Sequence, residues 1–181
     1  MKNLSFVIRL SVTLLVITSV VALALAGVNS ITAPLIQKHQ QQKIQQAMEQ
    51  VLPGAENLQE IAFADATNMG QKLWKSDIGY VAQVAPAGFG GQIVMMVGVD
   101  LDGAIAGISV VSHKETKGLG SVMAEKTAVG QAFRDQFVGQ SGILGVDKDG
   151  GEIDAITGAT ISTRAVVNGV NAVLTCIANL G

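Results

Sequence analysis

The sequence predicts an α+β fold, an antiparallel or mixed sheet behind a single apolar N-terminal helix. Three observations carry this. No charged residue occurs from position 10 to position 37. Two apolar runs, 93–99 and 104–111, flank an Asp-Leu-Asp-Gly turn at 100–103. Apolar residues also recur at helical spacing from 161 to 180.

Composition narrows the class before any element is placed. The 181 residues are 49% hydrophobic and 14% charged, with a net charge of −2. That is enough chain for one core plus an appendage, and too apolar for an ordinary soluble domain. A slightly acidic balance argues against nucleic-acid binding, which needs a basic face. One cysteine, Cys176, excludes an internal disulfide and any multi-cysteine zinc or iron–sulfur site. Two histidines, His39 and His113, argue against a closed zinc site.

The elements follow in order. Residues 1–9 carry Lys2 and Arg9, so the positive-inside tendency places them in the cytoplasm. Residues 10–28 are long enough for one transmembrane helix. A cleaved signal ending near Ala24-Leu25-Ala26 is the rival reading, and either way the bulk of the chain is exported. Residues 29–54 read as helical, a stalk lifting the domain off the bilayer or equally a surface helix packed on it, with Pro34 in the first turn and Pro53-Gly54 as the stop. Residues 55–181 form the domain, with short strands near 73–75 and 78–84 and a hairpin over 93–111. A helix is expected within 124–138. An acidic Gly turn at 147–151, resembling the one at 100–103, leads into a run at 152–156, and a helix closes the chain.

Three polar, glycine-rich stretches could hold chemistry. The first is residues 154–163, where a run ends, Gly158 permits a sharp turn, and a helix starts among Thr160, Ser162 and Thr163. Such a start suits a phosphate or carboxylate, although plain capping by a hydroxyl is the simpler reading. The second is the loop 112–120, Ser-His-Lys-Glu-Thr-Lys-Gly-Leu-Gly; the third is the turn 88–91, Gly-Phe-Gly-Gly. Trp74, Tyr80 and Phe89 are the candidate aromatics for stacking on a ring. No Walker A, nucleophile elbow, zinc-protease or dinucleotide motif is present.

Taken together, these stretches resemble the FMN-binding domain family. Residues 154–160, Asp-Ala-Ile-Thr-Gly-Ala-Thr, match its flavinylation motif Asp-x-x-(Ser/Thr)-Gly-Ala-Thr. The loop 113–120 is similar to its Glu-Thr-Pro-Gly-Leu-Gly segment, with Lys117 where proline is frequent, and 88–91 to its Gly-Tyr-Gly-Gly turn. The anchor, the Val-Asn-x-Ile-Thr-x-Pro junction at 28–34 and the order of motifs resemble the G subunit of Rnf electron-transport complexes over the whole chain. The C subunit of sodium-pumping NADH:quinone reductases shares the flavin motif and is the nearest alternative.

The resemblance implies one FMN, esterified through its phosphate to Thr160. It puts Thr157, Gly158 and Ala159 at the phosphate end, and Glu115, Thr116, Gly118 and Leu119 near the ring or ribityl chain. It implies no metal and no acid–base catalyst of the chain's own. The expected partners are the other membrane subunits of a ferredoxin:NAD oxidoreductase that moves sodium or protons, and a flavin transferase for maturation. The domain would face the periplasm or the cell exterior. A non-enzymatic exported binding domain, with Thr157–Thr160 serving only as a helix cap, is the competing class.

Overall fold

The structure is a computed structural model and describes residues 2–63 and 67–180. It divides into two compact units, Met1–Gln42 and Lys43–Gly181.

In the first unit, helix α1 (Lys2–Val51 in full) carries apolar side chains on every side. Leu14, Leu15 and Leu23 are 64–74% exposed. A helix apolar all round, with no protein against it, has the character of a membrane span, and this one has the length and hydropathy to be one. Its hydroxyls are satisfied internally. Thr13, Thr18, Ser30 and Thr32 donate to the carbonyls of Arg9, Leu14, Ala26 and Val28 at 2.8–2.9 Å. Pro34 does not begin a helix, as the sequence suggests, but lies inside α1. Its ring removes one backbone donor. The Ala, Leu, Gln and Lys residues around it are strong helix formers, which lets the helix continue.

The second unit is built on a five-stranded antiparallel meander in the order β1 (Gln59–Ile61), β2 (Gly70–Lys75), β3 (Gly79–Val84), β4 (Val94–Asp100), β5 (Ile105–Ser112). The expected hairpin is β4–β5. Asp100 N donates to Ala104 O, Ala104 N donates to Asp100 Oδ1, and Gly103 takes φ 83° at the turn. Leu73, Ala82, Val84, Met95, Val97 and Val99 bury one sheet face against Val166, Val170 and Val173 of α3 (Thr160–Ala178). Val81, Met96 and Val111 bury the other face against Ala47, Val51 and Leu52. With both faces covered, β4 needs apolar residues at successive positions. That is why the sequence shows a continuous run there and not an alternation.

Glycine permits the second of these contacts. Gly98 and Gly107 are register partners across β4–β5. A Cβ on Gly98 would strike the Val51 carbonyl oxygen, and one on Gly107 would lie 3.2 Å from Val51 Cα. The pair forms a furrow into which the end of α1 settles.

Two sequence expectations need correction. The helix expected within 124–138 is shorter: a 3-10 turn, Gly120–Ala124, precedes α2 (Ala128–Asp135). The Thr127 hydroxyl accepts from Gly130 N and fixes where α2 starts. The run at 152–156 forms no strand, and the turn at 147–151, unlike the one at 100–103, closes no hairpin. Asp147–Asp149 is a 3-10 turn beside an isolated parallel bridge, Val146 with Ile153. Gly145 and Gly151 cross so closely that a Cβ on Gly151 would collide with the Gly145 backbone. Backbone packed this tightly onto its own loop has no room for a paired strand.

Gly98→Ala forces the helix end off the sheet, and overpacking of this kind costs about 1–3 kcal/mol. Gly107→Ala, with a longer clearance, is milder. Denaturant unfolding of the two variants beside the wild type should show that order.

Candidate functional site

The three glycine-rich stretches, distant in sequence, line one cavity of about 390 Å³. Its walls come from Phe89, from Glu115, Thr116, Leu119 and Gly120, and from Gly158, Ala159, Thr160, Ile161 and Ser162. Cofactor pockets run from about 300 to 1,000 Å³, so this one suits a ring system with part of the ligand projecting. Six of the eight residues predicted from sequence line it: Glu115, Thr116, Leu119, Gly158, Ala159 and Thr160. Thr157 and Gly118 are exposed and not among its lining residues. Of the three candidate aromatics, Phe89 lines the cavity and is 70% exposed. Trp74 packs in the cluster with the end of α1, and Tyr80 packs against the main core.

Glu115 holds the three stretches together. It follows the β4–β5 hairpin by three residues and its side chain is buried. Oε1 accepts from Gly90 N at 2.9 Å and Oε2 accepts from Ser162 Oγ at 2.5 Å. The neighbours must be glycine for this fit. A Cβ on Gly88 would strike Oε1, and a Cβ on Gly120 would lie 2.6 Å from Oε2 and 2.7 Å from Ser162 Oγ. The following turn is closed by Leu119 N donating to Thr116 O at 3.2 Å, with Gly118 at φ 76°. Proline is favoured ahead of the left-handed residue in such turns but is not required, so Lys117 is accommodated.

The 154–160 segment owes its shape to distant side chains. Phe133 and Phe137 meet edge to face at 5.5 Å in the core and seat the end of α2. Gln136, between them in sequence, accepts from Asp154 N at 2.7 Å and donates to Asp154 O at 3.5 Å. Asp147 Oδ1 accepts from Ala155 N at 2.9 Å, and Thr163 Oγ1 accepts from Ile156 N at 3.1 Å. Three successive amides are thus held by side chains in place of a neighbouring strand. Gly158 then takes φ 74°, and α3 begins.

The start of α3 is uncapped. Its N-cap is Ala159, which has no side-chain oxygen. The capping reading of this segment is therefore not what the structure shows. The first amides of a helix have no acceptor within it, and they carry the positive end of its dipole. The hydroxyls nearby differ in status. Ser162 Oγ is bonded to Glu115, and Thr163 Oγ1 is bonded to Ala159 O and Ile156 N. The half-buried Thr160 makes no side-chain hydrogen bond among the described residues. Thr160 lies both at the start of the helix, where the dipole favours an anion, and in the cavity wall.

One turn along α3, Arg164 forms a bidentate pair with Asp149, at 2.7 Å from Nε and 2.6 Å from Nη2. The hydrogen bond from Arg164 holds the Asp149 carboxyl below the usual carboxylate range. The amide of Ala155 does the same for Asp147, with Lys148 assisting. Sequence reasoning marks Phe89 only as a candidate aromatic and Ser162 only as a hydroxyl of the helix start, and it assigns Gln136 and Asp147 no part in the site. No local pattern marks these last two, because each acts on a segment 8–18 positions away.

Both aspartates have folded-state pKa values below their unfolded ones. Their stabilisation is present above the unfolded value of about 3.9 and is lost as pH falls through the folded value. Thermal unfolding in detergent should therefore weaken below about pH 4. Asp147→Asn should be less stable near neutrality and should show a shallower acid dependence than the wild type.

Comparison with known proteins agrees with this geometry. The family model described as the FMN-binding domain matches residues 88–175, which include all three cavity stretches. The chain is 33% identical to the G subunit of the Na(+)-translocating ferredoxin:NAD(+) oxidoreductase complex of Acetobacterium woodii, covering 96% of this chain and 93% of that one. It is 30% identical to the G subunit of the ion-translocating oxidoreductase complex of Methanosarcina acetivorans, with 94% of each covered. Against the protein of the same name from Cronobacter sakazakii it is 34% identical, over 88% of this chain and 84% of that one. Similarity of this extent, running from the apolar helix through the cavity to α3, shows that the chain belongs to the family of G subunits of ion-translocating oxidoreductase complexes.

Proposed function

We propose that this chain is the membrane-anchored flavoprotein subunit of an ion-translocating ferredoxin:NAD oxidoreductase, passing electrons through one FMN bound covalently to Thr160. The observation that carries this reading is the convergence of all three loops on one cavity, with the Thr160 hydroxyl unpartnered at its edge. Residues 10–28 cross the membrane, 29–54 continue from them as a stalk whose last turns pack on the sheet, and 55–181 hold the flavin on the periplasmic or outer side. The other subunits of the complex are its partners, and a flavin transferase attaches the cofactor.

The residues present fit FMN. Phe89, Leu119 and Ile161 offer apolar surface to a ring, and the start of α3 at Thr160 lies on the same cavity for the phosphate. The group supplies reversible electron uptake when bound, and the protein supplies its placement. Thr160 Oγ1 would contribute the ester oxygen. The first amides of α3 would orient the phosphate and favour its charge. Gly158 lets the chain turn ahead of α3, and its Cβ position is 3.1 Å from Leu119 Cδ2, so a larger residue there would press on the cavity wall.

Magnitude explains why a covalent bond is useful. A helix start favours an anion by about 0.3–2 kcal/mol, which is at most about thirtyfold in affinity. That is too little to retain a cofactor against dilution outside the cell. A single ester at the phosphate retains it and leaves the ring unencumbered.

Co-expression with a flavin transferase tests this directly. The denatured wild-type band should fluoresce as flavin, and its intact mass should exceed the apo mass by one FMN moiety. Thr160→Ala should give a dark band of apo mass while the domain stays folded. A dark wild-type band under these conditions overturns the reading.

A further inference from the structure

We propose that Glu115 is an electrostatic tuning residue: its buried carboxylate holds the midpoint potential of the flavin low by opposing the arrival of negative charge in the cavity. This rests on the flavin reading above and goes beyond it, since a residue that only shapes a pocket need not carry charge.

Both carboxyl oxygens are engaged, Oε1 by the Gly90 amide and Oε2 by the Ser162 hydroxyl. A buried carboxylate is usually neutralised by a cation. Among the described residues the ion pairs are Lys72 with Glu60, Lys148 with Asp147 and Arg164 with Asp149, and Glu115 makes none. Lys114 and Lys117 adjoin it in sequence but are exposed. The negative charge is therefore uncompensated at short range, in a region poorly screened by water, on the wall of the cavity that Thr160 shares.

The direction of the effect follows. Each electron that enters the ring without a proton adds one negative charge facing Glu115. The carboxylate opposes this and makes reduction less favourable. The amides at the start of α3 would act in the opposite sense, and a phosphate held there would offset them.

Glu115→Gln separates charge from architecture. The amide keeps the shape: Oε1 can accept from Gly90 N while Nε2 donates to Ser162 Oγ. Ser162→Ala is the converse, losing a hydrogen bond but keeping the charge. The experiment is a spectroelectrochemical titration of the full chain in detergent, after in-gel fluorescence and intact mass have confirmed flavin loading. A dark wild-type band would count against the flavin reading, whereas a loaded protein tests the tuning role. The midpoint of Glu115→Gln should move positive, Glu115→Asp should return it toward the wild type, and Ser162→Ala should stay negative of Glu115→Gln. A loaded Glu115→Gln with an unchanged or more negative midpoint overturns the proposal. So does a Ser162→Ala shift as large as that of Glu115→Gln. The wild type gives a check that needs no variant: its reduced-minus-oxidised infrared difference spectrum should contain a carboxylate stretch perturbed by reduction, and its absence would also overturn the proposal.

Discussion

A carboxylate taken out of water must find donors, and when no cation is at hand those donors have to be neutral and well placed. The arrangement of the cavity follows from this demand at Glu115. One oxygen fixes the turn ahead of β4 through Gly90, and the other fixes the start of α3 through Ser162. Glycines at 88 and 120 are the spatial condition for those bonds, because any side chain there would strike the carboxylate. Three loops from separate parts of the chain become one wall because a single acidic group needs all of them. Removing one partner would leave a buried oxygen unsatisfied, so the loops are expected to stand or loosen as a set.

The sheet provides the rigid frame for this. Its two faces are filled by α3 and by the last turns of α1, and the Gly98–Gly107 furrow brings backbone against backbone on the α1 side. α3 therefore has two tasks along its length. Val166, Val170 and Val173 anchor it in the core, and its first residues, from Thr160 to Ser162, face the cavity. A helix fixed along its body holds its end within narrow limits, which a redox group needs if its distance to a partner is to stay constant.

What can be read from the sequence divides along the same line. The β4–β5 hairpin and α3 are legible because their signals are local: apolar runs around an Asp-Gly turn, and a stripe at helical spacing. The cavity loops are found through their glycines and through family resemblance, and six predicted residues do meet there. The apolar run at 152–156 is not a strand: Ile153 is buried and Ile156 partly buried in the core, and their amides donate to the Gly145 carbonyl and to the Thr163 hydroxyl of α3. Gln136 and Asp147 cannot be found this way, because a polar residue that clamps distant backbone looks like any solvated one. The expectation of a capping hydroxyl fails for a simple reason of register. Ala159 stands at the cap position, with Thr157 two residues before it and Thr160 one after.

That register has a consequence for how far the fold can be improved. A serine or aspartate in place of Ala159 would contribute about 1 kcal/mol to the helix, an easy gain by the usual rules of protein engineering. Its oxygen would also engage the first amides of α3, the donors that a phosphate would use under the proposed function. Thermostability and cofactor attachment would then compete for the same donors, so a sequence optimised for robustness alone would tend to close its own docking point.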